Sequence, residues 1–77
     1  MSRMHYEVAI RRAIKDRIRY STLTVAEVSK LIGLHKDYLS HVMGHRRNLS
    51  LRILTKLAEA FDTTTEQLTR EANALMR

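Results

Sequence analysis

The sequence predicts a small, all-helical protein of five helices. Apolar residues recur at intervals of three and four in successive segments, which is the periodicity of amphipathic helices. No segment alternates apolar and polar residues as a half-buried strand does. Proline is absent and glycine occurs only at positions 33 and 44, so serine and threonine caps must mark most helix boundaries. The 77 residues suffice for one domain, which we expect to span residues 1–77.

The first helix is predicted from an apolar face near the start of the chain. Its residues are Tyr6, Ile10, Ala13, Ile14 and Ile18. Basic residues are expected largely off this face: Arg11, Arg12, Lys15 and Arg19. A basic amphipathic helix can lie on a membrane surface, but Arg17 intrudes near the apolar face and a complete globular pattern follows. The sequence therefore favours an ordinary solvated face.

Two short helices joined by a tight turn are predicted next. Thr24 and Glu27 have the spacing of a capping box, and Gly33 suits the left-handed position that closes a helix. The apolar positions between them are Val25, Val28 and either Leu31 or Ile32. The second of the two helices carries Leu39, Val42 and Met43 and is expected to end at Gly44.

The last two helices are predicted from caps followed by apolar stripes. Ser50 precedes the stripe Leu51, Leu54, Leu57, Ala58 and Phe61. A further cap, either Thr63 with Glu66 or Thr64 with Gln67, precedes the stripe Leu68, Ala72, Leu75 and Met76.

Charge is distributed unevenly along the chain, whose formal net charge is +6. Residues 28–57 include six basic residues and one acidic residue, whereas residues 58–77 include four acidic and two basic residues. The first of these stretches suits a polyanionic partner such as nucleic acid.

Several other classes of protein are disfavoured. Cysteine is absent, which excludes disulfides and cysteine-based zinc sites and suits a reducing compartment. His41 and His45 have metal-ligand spacing, but Gly44 is expected to end the helix between them, so we expect no metal and no cofactor. No Ser–His–acid grouping predicts a hydrolase, so we expect no catalytic residues and no enzyme. Without a membrane-length apolar run, or the apolar core of a signal peptide in residues 1–10, we expect a cytoplasmic protein.

The chain resembles the Cro and phage-repressor family of helix-turn-helix proteins, also called the XRE family. The resemblance runs from about residue 23 to residue 68, over TVAEVSKLIGL, HKDYLSHVMGHRRN and LSLRILTKLAEAFDTTTEQL. Ser29, Gly33, Leu39 and Val42 fall in register with the small, glycine and apolar positions of the family. The resemblance implies a lambda-repressor-like fold with a helix-turn-helix core at about residues 24–43.

The resemblance also implies contacts with double-stranded DNA. The residues expected at base edges are Lys36, Asp37, Ser40 and His41. Those expected at the DNA backbone are Thr24, Tyr38, Arg46, Arg47 and Asn48, with Ser40 also near phosphate. Tyr38 has an alternative position against the first of the two short helices, and Asp37 also suits a helix N-terminus as a dipole partner.

The chain departs from the family pattern at three positions. Val25 stands where the family usually has glutamine, which commonly supports the first reading residue or contacts phosphate. His45 stands where the loop glycine of the family usually lies, and Leu49 replaces a frequent proline.

The function implied is that of a homodimeric repressor on a near-palindromic operator. Leu68, Leu75 and Met76 of the final helix are divided between two interpretations, core and dimer contact. The alternative function is an antitoxin or other interaction module whose final helix binds a protein partner, such as a toxin or an anti-repressor. A sequence-independent nucleoid protein is disfavoured, because Asp37 on the reading face would weaken non-specific DNA binding.

Overall fold

The computed structural model of the protein describes residues 5–77, and these residues form five α-helices without a strand. The helices are α1 (Tyr6–Tyr20), α2 (Val25–Leu31), α3 (Tyr38–Met43), α4 (Leu51–Ala60) and α5 (Thr65–Leu75). The predicted all-α fold of five helices is confirmed. Residues 1–4 lie outside the described residues. The sequence places them at the start of the domain and in the segment considered for a signal peptide. Every helix within residues 5–77 is too short or too polar to cross a bilayer.

Hydroxyl caps begin three of the helices, as the sequence predicts. Thr24 Oγ1 accepts from the Glu27 amide at 3.1 Å, and the Glu27 carboxylate accepts from the Thr24 amide at 3.0 Å, which completes a capping box. Ser50 Oγ accepts from the amide of Ile53 at 3.2 Å at the start of α4. Of the two caps proposed for α5, the structure contains the second, in which Thr64 Oγ1 accepts from the Gln67 amide at 3.0 Å.

A single apolar core lies between the helices. It includes sixteen buried apolar side chains, with α1 packed mainly against α5 and α2 against α3. Leu39 of α3 has no exposed surface, so its burial stabilises the fold by about 1.5–3 kcal/mol. Since this residue anchors a helix of only six residues, its burial also determines which face of α3 points outward.

Three residues predicted on apolar helix faces are exposed. Tyr6, at the start of α1, is 41% exposed. Leu51 is 73% exposed, because it is the first residue of α4 and the apolar stripe is buried only from the following residues of the helix onward. Leu31 is 63% exposed while Ile32 is buried, which decides between the two positions considered for the end of α2.

The hydrophobic residues of α5 divide between complete and partial burial. Leu68 has no exposed surface and belongs to the core of the protomer, so the prediction of a dimer contact does not extend to it. Leu75 and Met76 are half-buried at the edge of the same core.

Arg11 corrects the prediction that the basic residues of α1 lie off its apolar face. Its side chain is buried, with 6% of its surface exposed. The guanidinium Nε donates to the carbonyl of Val42 at 2.7 Å, and Nη1 donates to the carbonyl of Glu7 at 2.9 Å. Periodicity predicts the helix face on which a residue lies. It does not show whether other segments supply carbonyl acceptors that allow a charged group to be buried there.

An ion pair joins α1 to α5. Arg17 Nε donates to Glu71 Oε1 at 3.0 Å, and Arg17 Nη2 contacts the other carboxylate oxygen. The hydrogen bond from Arg17 lowers the pKa of Glu71 below its ordinary value, and a hydrogen bond from Gln67 acts in the same direction, whereas burial opposes both. The same hydrogen bond raises the pKa of Arg17. The pair thus supports the principal helix contact of the fold.

The Arg17–Glu71 pair predicts a pH-dependent stability. Because the pKa of Glu71 is depressed in the folded state, its contribution is complete above its unfolded value of about 4.3 and is lost as the pH falls through the folded value. Glu71→Gln is expected to cost about 0.5–1 kcal/mol of unfolding free energy at neutral pH and progressively less in acid. Urea denaturation of both proteins at neutral and acidic pH measures this difference. Glu59→Gln, at an exposed position of α4, is the control, and a cost for Glu71→Gln that stayed constant with pH would contradict the assignment.

Ser29 provides a second stability prediction. Its buried Oγ accepts from the amide of Leu39 at 3.3 Å, and Ser29→Ala leaves that amide without this acceptor. We expect a loss of about 1 kcal/mol of unfolding free energy, because a buried donor is left unsatisfied. The matched control is Ser40→Ala on the exposed face of α3, where alanine should not destabilise the fold. Equal midpoints of urea denaturation for the two variants would exclude this role of Ser29.

Candidate nucleic-acid interface

The turn between α2 and α3 is fixed by backbone hydrogen bonds. The amide of Leu34 donates to the carbonyl of Ser29 at 2.8 Å, and the amide of Gly33 donates to the carbonyl of Lys30 at 3.0 Å. These two bonds form a Schellman motif, which requires a left-handed residue after the helix. Gly33 fulfils this requirement with a φ of 79°, as the sequence predicts. These bonds fix the backbone at the point where the chain turns away from α2 toward α3.

The N-terminal end of α3 is joined to α2 by a side chain. The hydrogen bond from the Leu39 amide to Ser29 Oγ supplies an acceptor to one of the first amides of the helix, which have none within the helix itself. His35 Nδ1 accepts from the amide of Asp37 at 3.2 Å just before α3 begins. Both bonds orient the start of α3, where base contacts are expected.

The four residues predicted to contact bases lie together at the outer side of α3. Lys36 and Asp37 are exposed in the turn that precedes the helix, Ser40 is exposed on its first turn, and His41 is half-buried. Asp37 occupies the N-cap position, but its side chain makes no capping hydrogen bond. The carboxylate of Asp37 lies 3.9 Å from His35 Nδ1 and keeps most of its surface in solvent.

The segment after α3 is closed by a second Schellman motif. The amide of Arg46 donates to the carbonyl of His41 at 2.8 Å, and the amide of His45 donates to that of Val42 at 3.2 Å. The left-handed residue of this motif is His45, with a φ of 64°, whereas Gly44 has a φ of −85°. The helix ends where the sequence predicts, but the strained position is the one at which the related family usually has glycine.

The end of α3 before His45 separates the two histidines that have metal-ligand spacing in the sequence. Because α3 ends at Met43, His41 and His45 do not lie one above the other on a single helix. Within residues 5–77, no three of the histidine and carboxylate side chains come close enough together to bind a metal ion.

Basic residues continue the outer surface beyond α3. Arg46, Arg47 and Asn48 are exposed, and the guanidinium of Arg47 lies 5.6 Å from the centre of the Tyr38 ring in a cation–π contact. Tyr38 itself is half-buried against the apolar core. Its ring therefore packs against the protein and also supports Arg47.

Thr24 lies at the other end of the two-helix unit. Its Oγ1 is occupied as an acceptor by the Glu27 amide, but the hydroxyl hydrogen remains available for donation. The side chain is exposed at the N-terminal end of α2. Thr24 can therefore cap the helix and contact an anion at the same time.

Arg11 contacts this segment from the side of α1, and it was not among the residues predicted at the DNA interface. Besides the carbonyl of Val42 in the last turn of α3, its guanidinium reaches the carbonyl of Arg47 at 3.4 Å. The presence of an arginine one residue after the apolar Ile10 is the only signal in the sequence, and it fits an exposed position equally well.

Comparisons with known proteins agree with this geometry. A family model described as helix-turn-helix matches residues 21–68. The crystal structure of the clp gene regulator ClgR from Corynebacterium glutamicum is similar, with a TM-score of 0.85, 19% sequence identity, and a match over 97% of this chain and 80% of that one. Another crystal structure of ClgR from C. glutamicum has a TM-score of 0.83 and 18% identity, with 99% of this chain and 97% of that one covered.

No curated protein matches the sequence. The two solved structures establish the similarity of the fold, and the family model identifies the segment that carries the two-helix unit. The protein therefore belongs to the helix-turn-helix family of DNA-binding proteins, of the Cro and phage-repressor type that its sequence resembles.

Proposed function

We propose that the protein is a sequence-specific regulator of transcription that binds double-stranded DNA as a homodimer and represses by occupying a promoter. The observation that carries the proposal is the division of α3 into two faces. Leu39, Val42 and Met43 are buried, while Lys36 and Ser40 are exposed on the opposite side or in the turn before it. A short helix fixed in this way can present its N-terminal end to a major groove.

The exposed side chains have the chemistry needed to distinguish bases. Lys36 can donate to O6 and N7 of guanine, and Asp37 can accept from N4 of cytosine. Ser40 and His41 can each donate or accept a hydrogen bond. Each good base contact contributes about 1–3 kcal/mol of discrimination against the wrong base. The mixture of a base and an acid on one face favours sequence-specific binding over general attraction to DNA.

The DNA backbone contacts are proposed for both ends of the two-helix unit. Thr24 offers a hydroxyl donor at the start of α2, and Arg46, Arg47 and Asn48 offer charged and amide donors after α3. These contacts position the protein on the duplex and make binding depend on salt. Tyr38 contributes mainly by supporting Arg47 in this arrangement.

Dimerisation is proposed through the end of α5. Leu75 and Met76 are half-buried at the edge of the core, so a second copy could complete their burial. A chain of 77 residues gains stability from such an association, since small domains bury a limited part of their surface alone. Two reading helices related by a twofold axis would enter successive major grooves about 34 Å apart on a near-palindromic site.

The role in transcription rests on the family and on the ClgR structures, which are those of a gene regulator. A protein that binds near a promoter can exclude the transcription machinery without further activity. The proposal therefore assigns no catalytic role, metal or cofactor to the chain, and places it in the cytoplasm, where DNA is accessible.

Selection from random duplex DNA with the purified protein tests the proposal. We expect enrichment of an inverted repeat that binds at least about 10³-fold more tightly than a scrambled duplex. Sedimentation of the complex would then give two protomers per site. Enrichment of a single half-site would contradict only the proposed dimer. No enrichment would contradict sequence-specific binding and would favour the alternative of a protein partner.

Lys36→Ala tests the assignment of the reading face. On the selected sequence, we expect a loss of about 1–3 kcal/mol per reading helix and a smaller loss on scrambled DNA, so discrimination decreases. Fluorescence anisotropy with both duplexes measures the two affinities. Lys15→Ala, which removes the same charge from an exposed position of α1, is the matched control. If both variants reduced affinity equally on both duplexes, Lys36 would contribute only charge.

A further inference from the structure

Arg11 is an unusual residue to find buried in this protein. Only 6% of its surface is exposed, and no carboxylate within residues 5–77 forms an ion pair with it. The guanidinium group of arginine remains charged in proteins, and its removal from water has a large cost unless hydrogen bonds replace the water. Here the replacement consists of backbone carbonyl groups.

The three carbonyl groups belong to different parts of the chain. Nη1 donates to Glu7 in the preceding turn of α1, Nε donates to Val42 in α3, and Nη2 donates to Arg47 in the following loop. The planar guanidinium holds its donors in a fixed arrangement. One side chain of α1 therefore sets the distance between α1, the last turn of α3 and the loop.

The loop held by Arg11 is the one that carries the proposed phosphate contacts. Residues 46–48 are exposed, and they follow the left-handed residue His45. A non-glycine residue in this conformation has a cost that the surrounding structure must offset. The bond to the carbonyl of Arg47 and the cation–π contact of its side chain with Tyr38 fix that residue at two points.

We propose that Arg11 is a positioning residue for DNA binding, which acts through the carbonyl groups of Val42 and Arg47 and does not itself contact DNA. This inference rests on the proposed function. The bond to Val42 fixes the end of α3, and the bond to Arg47 fixes the direction in which Arg46, Arg47 and Asn48 face the DNA backbone. The reading end of α3 is held separately, through Ser29.

This separation predicts a specific defect for Arg11→Lys. Lysine keeps the positive charge, but its ammonium group cannot reproduce the planar fork that joins the three carbonyl groups. We expect an approximately 10-fold loss of affinity for both the selected and the scrambled duplex, with discrimination between them retained. The slope of log affinity against log salt should decrease by about 1 for each phosphate that the loop no longer neutralises.

Anisotropy titrations over a range of salt concentrations, corrected for the folded fraction measured by circular dichroism, test this prediction. The matched control is Arg12→Lys, the same replacement at the neighbouring, exposed position of α1. Wild-type affinity and salt slope for Arg11→Lys would overturn the inference while leaving the proposed function intact. Absence of specific binding by the wild-type protein would instead remove the proposed function.

Wild-type protein provides the test if Arg11→Lys does not fold. The Nε–H of Arg11 should exchange slowly with solvent in the free protein, as should the amides of His45 and Arg46, because the bonds exist before DNA binds. Exchange of the Nε–H at the rate of an exposed arginine such as Arg19 would overturn the inference.

Discussion

A helix of six residues cannot maintain its own conformation in water, and this constraint governs the structure around α3. Its position depends on bonds at both ends and on burial of the face between them. Ser29 accepts from the first turn, Arg11 donates to the last turn, and Leu39 lies fully inside the core. The polar side chains of the outer face are not needed to hold the helix in place, so they are available for recognition of DNA.

The turns that connect the helices show how the same requirement extends to the backbone. Schellman motifs close α2, α3 and α4, and their left-handed residues are Gly33, His45 and Asp62. Glycine adopts this conformation without strain, whereas histidine and aspartate do so at a cost. At the end of α2, Lys56 of α4 adds a hydrogen bond to the carbonyl of Ile32 at 3.4 Å. The conformation of these loops therefore depends on hydrogen bonds with neighbouring segments as well as on the residue type at the left-handed position.

The proposed roles in base recognition and in positioning consequently fall to different residues. The proposed base contacts come from the start of α3, which is attached to α2, while the proposed phosphate contacts follow α3 and are attached to α1 through Arg11. The ion pair of Arg17 and Glu71 joins α1 in turn to α5, where the dimer contact is proposed. This connection through α1 links the loop of the proposed phosphate contacts to the proposed interface between copies.

The sequence by itself determined the local features: helix periodicity, the caps at Thr24 and Ser50, and the left-handed turn at Gly33. Each depends on residues within a few positions of one another, so spacing is sufficient to predict it. Only the tertiary structure decided that Arg11 is buried, that Leu51 is exposed and that Leu68 belongs to the core. Those outcomes depend on acceptors and packing surfaces supplied by distant segments, and helical spacing holds no information about which segments will meet.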